Sequence, residues 1–191
     1  MAALLCNDGV DEQLRHDLLA RCEEDQRIRQ LAFDLGDPNT GILPDDLVEQ
    51  WERVDQDNTR WLAAVLAARG WPGRNLVGED GAEAAWLLAQ HADQDPVQQR
   101  RFLDAMRLAV SEKEASAAHL AYLEDRVRVH AGQPQLYGTQ FTEAGGTMEP
   151  HPIEDPDRLD ERRAQVGLPP FADYEALMRA TQQDRPESPT S

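Results

Sequence analysis

Apolar residues recur at helical spacing through the first two thirds of the chain. Leu14, Leu18, Ile28 and Leu35 fall within one stripe at about 100° per residue, which predicts a helix over Asp11–Leu35. The run Gly36-Asp37-Pro38-Asn39-Thr40-Gly41 gathers strong turn formers and ends it. Pro44-Asp45-Asp46 opens a second helix, which continues to Arg69 with Leu47, Trp51, Val54, Trp61, Leu62 and Val65 on a shared face. Gly70 stops it. A third helix, over Glu79–Ala92, carries Ala82, Ala84, Ala85, Trp86, Leu87, Leu88 and Ala89 and has little polar face, so it belongs at the centre. A fourth follows Pro96 to Val110, with Phe102, Leu103, Met106 and Val110 inward. A fifth spans Ser116–His130, with Leu120, Leu123 and Val127 inward.

The helical period stops after Gly132. Residues Gln133–Pro156 are rich in Gly, Pro and Thr, and the stretch is long for a bare connection in a compact domain. Short helices are predicted over Asp157–Val166 and Phe171–Thr181, and Gln182–Ser191 reads as a disordered polar tail. Few segments alternate at period two, so strands are expected to be minor. The pattern predicts a mostly α, single-domain helical bundle of about five main helices, closed by an irregular C-terminal segment, with residues 1–181 as the domain.

Four polar residues interrupt the apolar faces. Asp25 lies seven residues after Leu18 and three before Ile28, so the three project from nearly one direction. Asn58 sits at the centre of the second stripe, Gln99 among Phe102, Leu103 and Met106, and His91 at the end of the central helix beside Leu87 and Leu88. A buried polar group costs free energy unless it is partnered. Separate helices that each carry one suggest a shared pocket. Structural alternatives stand beside that reading. Arg21, four residues before Asp25, offers an ion pair, Asn58 and Gln99 can bridge helices, and His91 can favour a helix C-terminus.

Further candidates follow. His119, Arg126 and His130 share one edge of the fifth helix, either a pocket rim or a solvated face with Arg126 paired to an acid. Gln135-Leu136-Tyr137-Gly138-Thr139-Gln140 is dense in hydrogen-bonding side chains and suits a loop folding over a pocket. His91, Asp93 and Asp95 form a weak metal pattern, because alternate residues on a helix do not converge; Asp93 and Asp95 serve equally as caps for the helix at Pro96. No metal is assigned.

Charge narrows the partners. The chain of 191 residues carries 36 acids against 19 bases, a net charge of -17. Nucleic acid and anionic membranes both need a positive surface, so neither is an expected partner. Cys6 and Cys22 make neither a disulfide framework nor a CxxC zinc site. The start lacks the basic region and apolar core of a signal peptide, and no apolar run approaches the roughly 20 residues of a membrane span. A cytoplasmic location is expected. There is no phosphate loop, dinucleotide fingerprint or GxSxG elbow.

Taken as a set, Glu24-Asp25-Gln26, Asp55 with Asn58-Thr59, Gly70-Trp71-Pro72, Gln90-His91-Ala92-Asp93, Tyr122 to Val127 and Gln135 to Gln140 resemble a bacterial family of unknown function with QHAD and YGTQ elements. The resemblance covers roughly residues 14 to 180. It implies polar family positions at Asp25, Asn58, His91, Gln99, Asp125, Arg126, Gln135, Tyr137 and Gln140, and it implies no reaction or cofactor.

These readings together predict a small cofactor-independent enzyme acting on a small polar metabolite by hydrolysis, elimination or cyclisation. His91 is the expected general acid/base, with Asp25 orienting it and Tyr137 donating a proton or closing the pocket. Asn58, Gln99, Arg126, Gln135, Gln140 and His119 are the expected substrate contacts. The alternatives are a non-catalytic metabolite-binding or protein-interaction module, and a purely structural network of polar groups.

Overall fold

The structure is a computed structural model, and it describes residues 9–35, 43–144 and 147–183. The expected turn at 36–41, Cys6, and the tail beyond residue 183 lie outside the described residues. The fold is mostly α. Five long helices come first: α1 (Glu12–Leu35), α2 (Asp45–Arg69), α3 (Arg74–Gln90), α4 (Pro96–Ser111) and α5 (Ala117–His130). Then come β1 (Phe141–Ala144), β2 (Thr147–Pro150), a 3-10 turn (Pro156–Arg158), α6 (Leu159–Gln165) and α7 (Phe171–Gln183).

Helix ends follow local chemistry. The Asp11 carboxylate accepts from Leu14 N at 3.0 Å at the start of α1. Asp95 accepts from Gln98 N at 2.9 Å ahead of Pro96, and Ser116 accepts from His119 N at 3.3 Å. Helix α3 packs against α1, α2, α4 and α5, the central place its all-round apolar composition predicts. It begins at Arg74, ahead of the expected Glu79, but Gly78 at φ 75° breaks it into two pieces. The expected start matches the second piece. Arg15 of α1 clamps the break, donating from Nε and Nη2 to Asp80 at 2.8 and 2.6 Å.

Two apolar clusters form. The larger holds Leu18, Leu62, Leu88, Phe102, Leu103 and Leu123 with the alanines of α3. The smaller, at the far end of the α1–α2 pair, holds Ile28, Ala32 and Leu47. The buried face of α2 is rotated from the expected stripe. Leu47, Asp55, Asn58, Thr59 and Leu62 are buried, while Trp51, Val54, Trp61 and Val65 are only half-buried. Leu35, expected inward, is 54% exposed.

The segment after Gly132 is ordered by hydrogen bonds rather than by helix. β1 and β2 pair antiparallel, with Phe141 opposite Pro150 and Thr142 opposite Glu149. Gln135 N donates to Pro152 O at 2.8 Å and Glu154 N to Gln135 O at 2.9 Å, tying the entry of the segment to its exit. Among the described residues, no helix is long and apolar enough to cross a membrane.

Candidate functional site

The antiparallel α1 and α2 place a polar seam between the two apolar clusters. Asp25 is 2% exposed, Asp55 7% and Asn58 4%. Arg29, one turn after Asp25, joins the two carboxylates. Its Nη2 donates to Asp55 Oδ1 at 2.8 Å and to Asp25 Oδ1 at 3.2 Å, and its Nε to Asp25 Oδ2 at 3.2 Å. Its guanidinium lies 4.7 Å from the centre of the Trp51 ring. Trp51 Nε1 in turn donates to Asp55 Oδ2 at 2.8 Å, so indole and guanidinium hold both oxygens of Asp55.

His91 enters from the C-terminal end of α3. Its Nδ1 lies 2.9 Å from Asp25 Oδ2 and 3.1 Å from Oδ1. The Arg29 Nε–H is also aimed at Nδ1, at 2.9 Å. One nitrogen cannot serve both neighbours in the same protonation state. Carrying a proton, Nδ1 donates to Asp25; without it, Nδ1 accepts from Arg29. The ring therefore has a partner in either state without moving. Nε2 has no partner among the described residues, is not among the sealed unpartnered atoms, and belongs to a side chain 14% exposed.

Burial raises the Asp25 pKa, but the hydrogen bond from His91, the charges of His91 and Arg29 and the bond from Gln26 together hold it below the usual carboxylate value. Asp55 moves the other way. Burial raises it, Arg29 only partly offsets this, and the neighbouring Asp25 charge pushes it further up.

The other expected site residues do not join this seam. Arg21 bonds Asp57 and Asn58 rather than Asp25. Gln99 closes the turn between α3 and α4, donating to Gln90 O at 3.1 Å and Asp93 Oδ1 at 2.8 Å. Asp93 also receives both Nε and Nη2 of Arg126, so Arg126 is paired rather than open to a ligand, and Asp93 is not a helix cap. His130 sits 3.7 Å from the same carboxylate. His91, Asp93 and Asp95 thus point to three different partners. Among the described residues no group of three or more His, Cys, Asp or Glu is arranged to hold a metal ion.

A third network organises the C-terminal segment. Asp125 is fully buried and accepts from Leu136 N at 2.6 Å, Tyr137 N at 3.1 Å, and Thr139 N and Oγ1 at 3.0 Å. Gln135 is equally buried; its Nε2 donates to Gln140 O and His151 O, and its Oε1 accepts from Gln140 N. Gln140 donates to Thr139 Oγ1 at 3.0 Å. These side chains hold a loop. Burial, followed by the charges of Glu124 and Asp125, raises the pKa of the Tyr137 phenol, against a smaller lowering by Arg162 and Arg107. His119 stacks on Trp86 with centroids 3.9 Å apart, and burial lowers its pKa. No hydrogen bond among the described residues links the three networks, so the expected single hollow is divided.

Arg29 and Trp51 were not expected as site residues, Asp93 was weighed only as a weak metal ligand or a helix cap, and Asp55 and Asp125 entered only through the family resemblance. Arg29 and Trp51 did leave a signal, each standing four residues from a seam carboxylate. A cavity of about 540 Å³ runs along the same helix pair, with Arg21, Asn58 and Trp61 in its wall.

A mostly α bundle with buried carboxylates, an arginine and an imidazole between its helices defines the class of protein. The chain belongs to a family of unknown function (DUF6624), whose model matches residues 12–183, from the first turn of α1 to the last of α7. No curated protein and no solved structure matches it.

Proposed function

We propose that the protein is a small enzyme that moves a proton at His91, on a small polar metabolite, in a hydrolysis, elimination or cyclisation that needs no cofactor. The observation that carries this reading is the contact of 2.9 Å between His91 Nδ1 and Asp25, with Nε2 left without a protein partner among the described residues. A carboxylate behind one ring nitrogen and an open second nitrogen suit a general acid/base. With Nδ1–H held by Asp25, transfer at Nε2 leaves that bond in place, so the ring keeps its partner in both the neutral and the protonated state. Arg29 and Asp55 are positioning residues: they fix Asp25, and Trp51 fixes them. Tyr137, Gln99, Gln135, Gln140 and Arg126 lie outside this mechanism, being held in other networks.

A binding module is the second reading, favoured by one observation: the wall of the cavity contains Asn58 but not His91. Turnover of a panel of small polar metabolites separates the two. The catalytic reading expects turnover that His91→Ala lowers by about 100-fold or more, with helical content by circular dichroism unchanged. Unchanged turnover in that variant overturns it, and saturable binding without wild-type turnover selects the module.

A further inference from the structure

The cavity between α1 and α2 has a built polar wall. Arg21 spends only Nη1 on the protein, donating to Asp57 Oδ2 at 2.7 Å and Asn58 Oδ1 at 2.9 Å. Its Nε and Nη2 have no partner among the described residues and are not sealed from solvent. That edge of a guanidinium presents two parallel N–H groups, the fork that takes a carboxylate bidentately. The plane is already fixed, since the guanidinium lies 4.6 Å from the Trp61 ring centre and is pinned through Nη1. Beside it, Asn58 lines the same cavity at 4% exposure, and its Nδ2 has no partner. That nitrogen is sealed from solvent, so it is an unsatisfied donor behind the wall, and the ligand contact rests on Arg21.

An anion alone does not suit the wall. Asp17, Glu24 and Asp57 line it together with Arg21 and Arg53. Asp57 is taken by Arg21, and Glu24 gives both oxygens to Arg27 at 2.7 and 2.8 Å. Asp17 is bonded through Oδ1 to Gln13, which leaves Oδ2 open one helical turn from the Arg21 fork. An open acid beside an open guanidinium fits a ligand carrying both charges. Val54 and Ala20 add apolar wall, and about 540 Å³ lies within the range for small-molecule sites.

We propose that this cavity binds a free α-amino acid, its carboxylate on the Nε/Nη2 fork of Arg21 and its ammonium group against Asp17. The site stands one turn along α1 from Asp25, and the proposal does not depend on the catalytic reading. Isothermal titration of the full chain with each of the common free amino acids tests it. Saturable binding is expected for at least one. Its N-acetyl and methyl-ester derivatives, each lacking one charge, are expected to bind at least about tenfold more weakly. Arg21→Lys, which keeps charge but loses the fork, and Asp17→Asn are each expected to weaken binding by a similar factor, while His91→Ala binds as the wild type does. Asp17 is half-buried with its side chain 44% exposed, so its variant carries the test if Arg21→Lys fails to fold. Absence of saturable binding across the amino acids overturns the proposal, as do derivatives that bind equally well or an Asp17→Asn variant that binds undiminished. Turnover lost in His91→Ala with binding retained supports both readings; turnover retained with binding retained removes only the catalytic one.

Discussion

Arg29 decides the energetics of the seam. Among the described residues it is the one guanidinium bonded to both Asp25 and Asp55, and its side chain is 20% exposed. Removing it leaves two buried carboxylates facing each other, so Arg29→Met should cost about 3–5 kcal/mol in urea unfolding, the usual penalty for breaking a buried pair. The two carboxylates also carry opposite pH signatures. Asp25 is held below its ordinary value, so its contribution to stability is present above an unfolded pKa near 3.8 and is lost as pH falls through the lower folded value. Asp55 is held above its ordinary value, so its contribution is present below 3.8 and is lost as pH rises through the raised folded value. Urea midpoints taken from pH 3 to 7 should therefore show Asp25→Asn weakening relative to wild type as pH rises. Asp55→Asn should gain relative to wild type over the same rise. Matching slopes in the two variants would contradict these assignments.

At the scale of the element, the segment Gln135–Gln140 shows how a loop is fixed without regular structure. A single carboxylate, Asp125 on α5, gathers three backbone N–H groups and a hydroxyl. Asparagine in its place keeps one acceptor oxygen and brings N–H groups towards donors. Asp125→Asn should cost about 1–3 kcal/mol and speed amide hydrogen exchange at Leu136, Tyr137 and Thr139 ahead of the α1–α2 pair. Gly138 is the second constraint. It sits at φ 68°, and a Cβ there would lie 2.7 Å from the Phe171 ring. Gly138→Ala combines that clash with a left-handed backbone and should lower the melting temperature, at a cost of about 1–3 kcal/mol.

Over the whole molecule, the seam divides the α1–α2 pair into two unequal ends. One end belongs to the large cluster around Leu62 and Phe102; the other rests on buried Ile28, Ala32 and Leu47, with half-buried Leu31, Leu43, Trp51 and Val54 packed against them. Leu62→Ala should cost about 3–5 kcal/mol and lower protection of every core helix. Leu47→Ala should cost less and speed exchange mainly in the facing ends of α1 and α2, a difference that native-state hydrogen exchange resolves residue by residue.

Local pattern was enough to place the five long helices, because the 3.6-residue period, the turn formers and the caps at Asp95 and Ser116 are written in neighbouring residues. It also marked Asp25, Asn58, Gln99 and His91 as polar groups on apolar faces. Partner choice was not legible. Arg21 and Arg29 stand at equal distances along α1 from Asp25, and only the packing of α2 and α3 gives one to Asn58 and the other to the Asp25–His91 pair. The same holds for the C-terminal segment, whose order comes from a carboxylate on α5. Helical spacing is a property of one stretch of chain. Which polar tips meet depends on how stretches far apart in sequence are brought together, and that was decided by the tertiary fold.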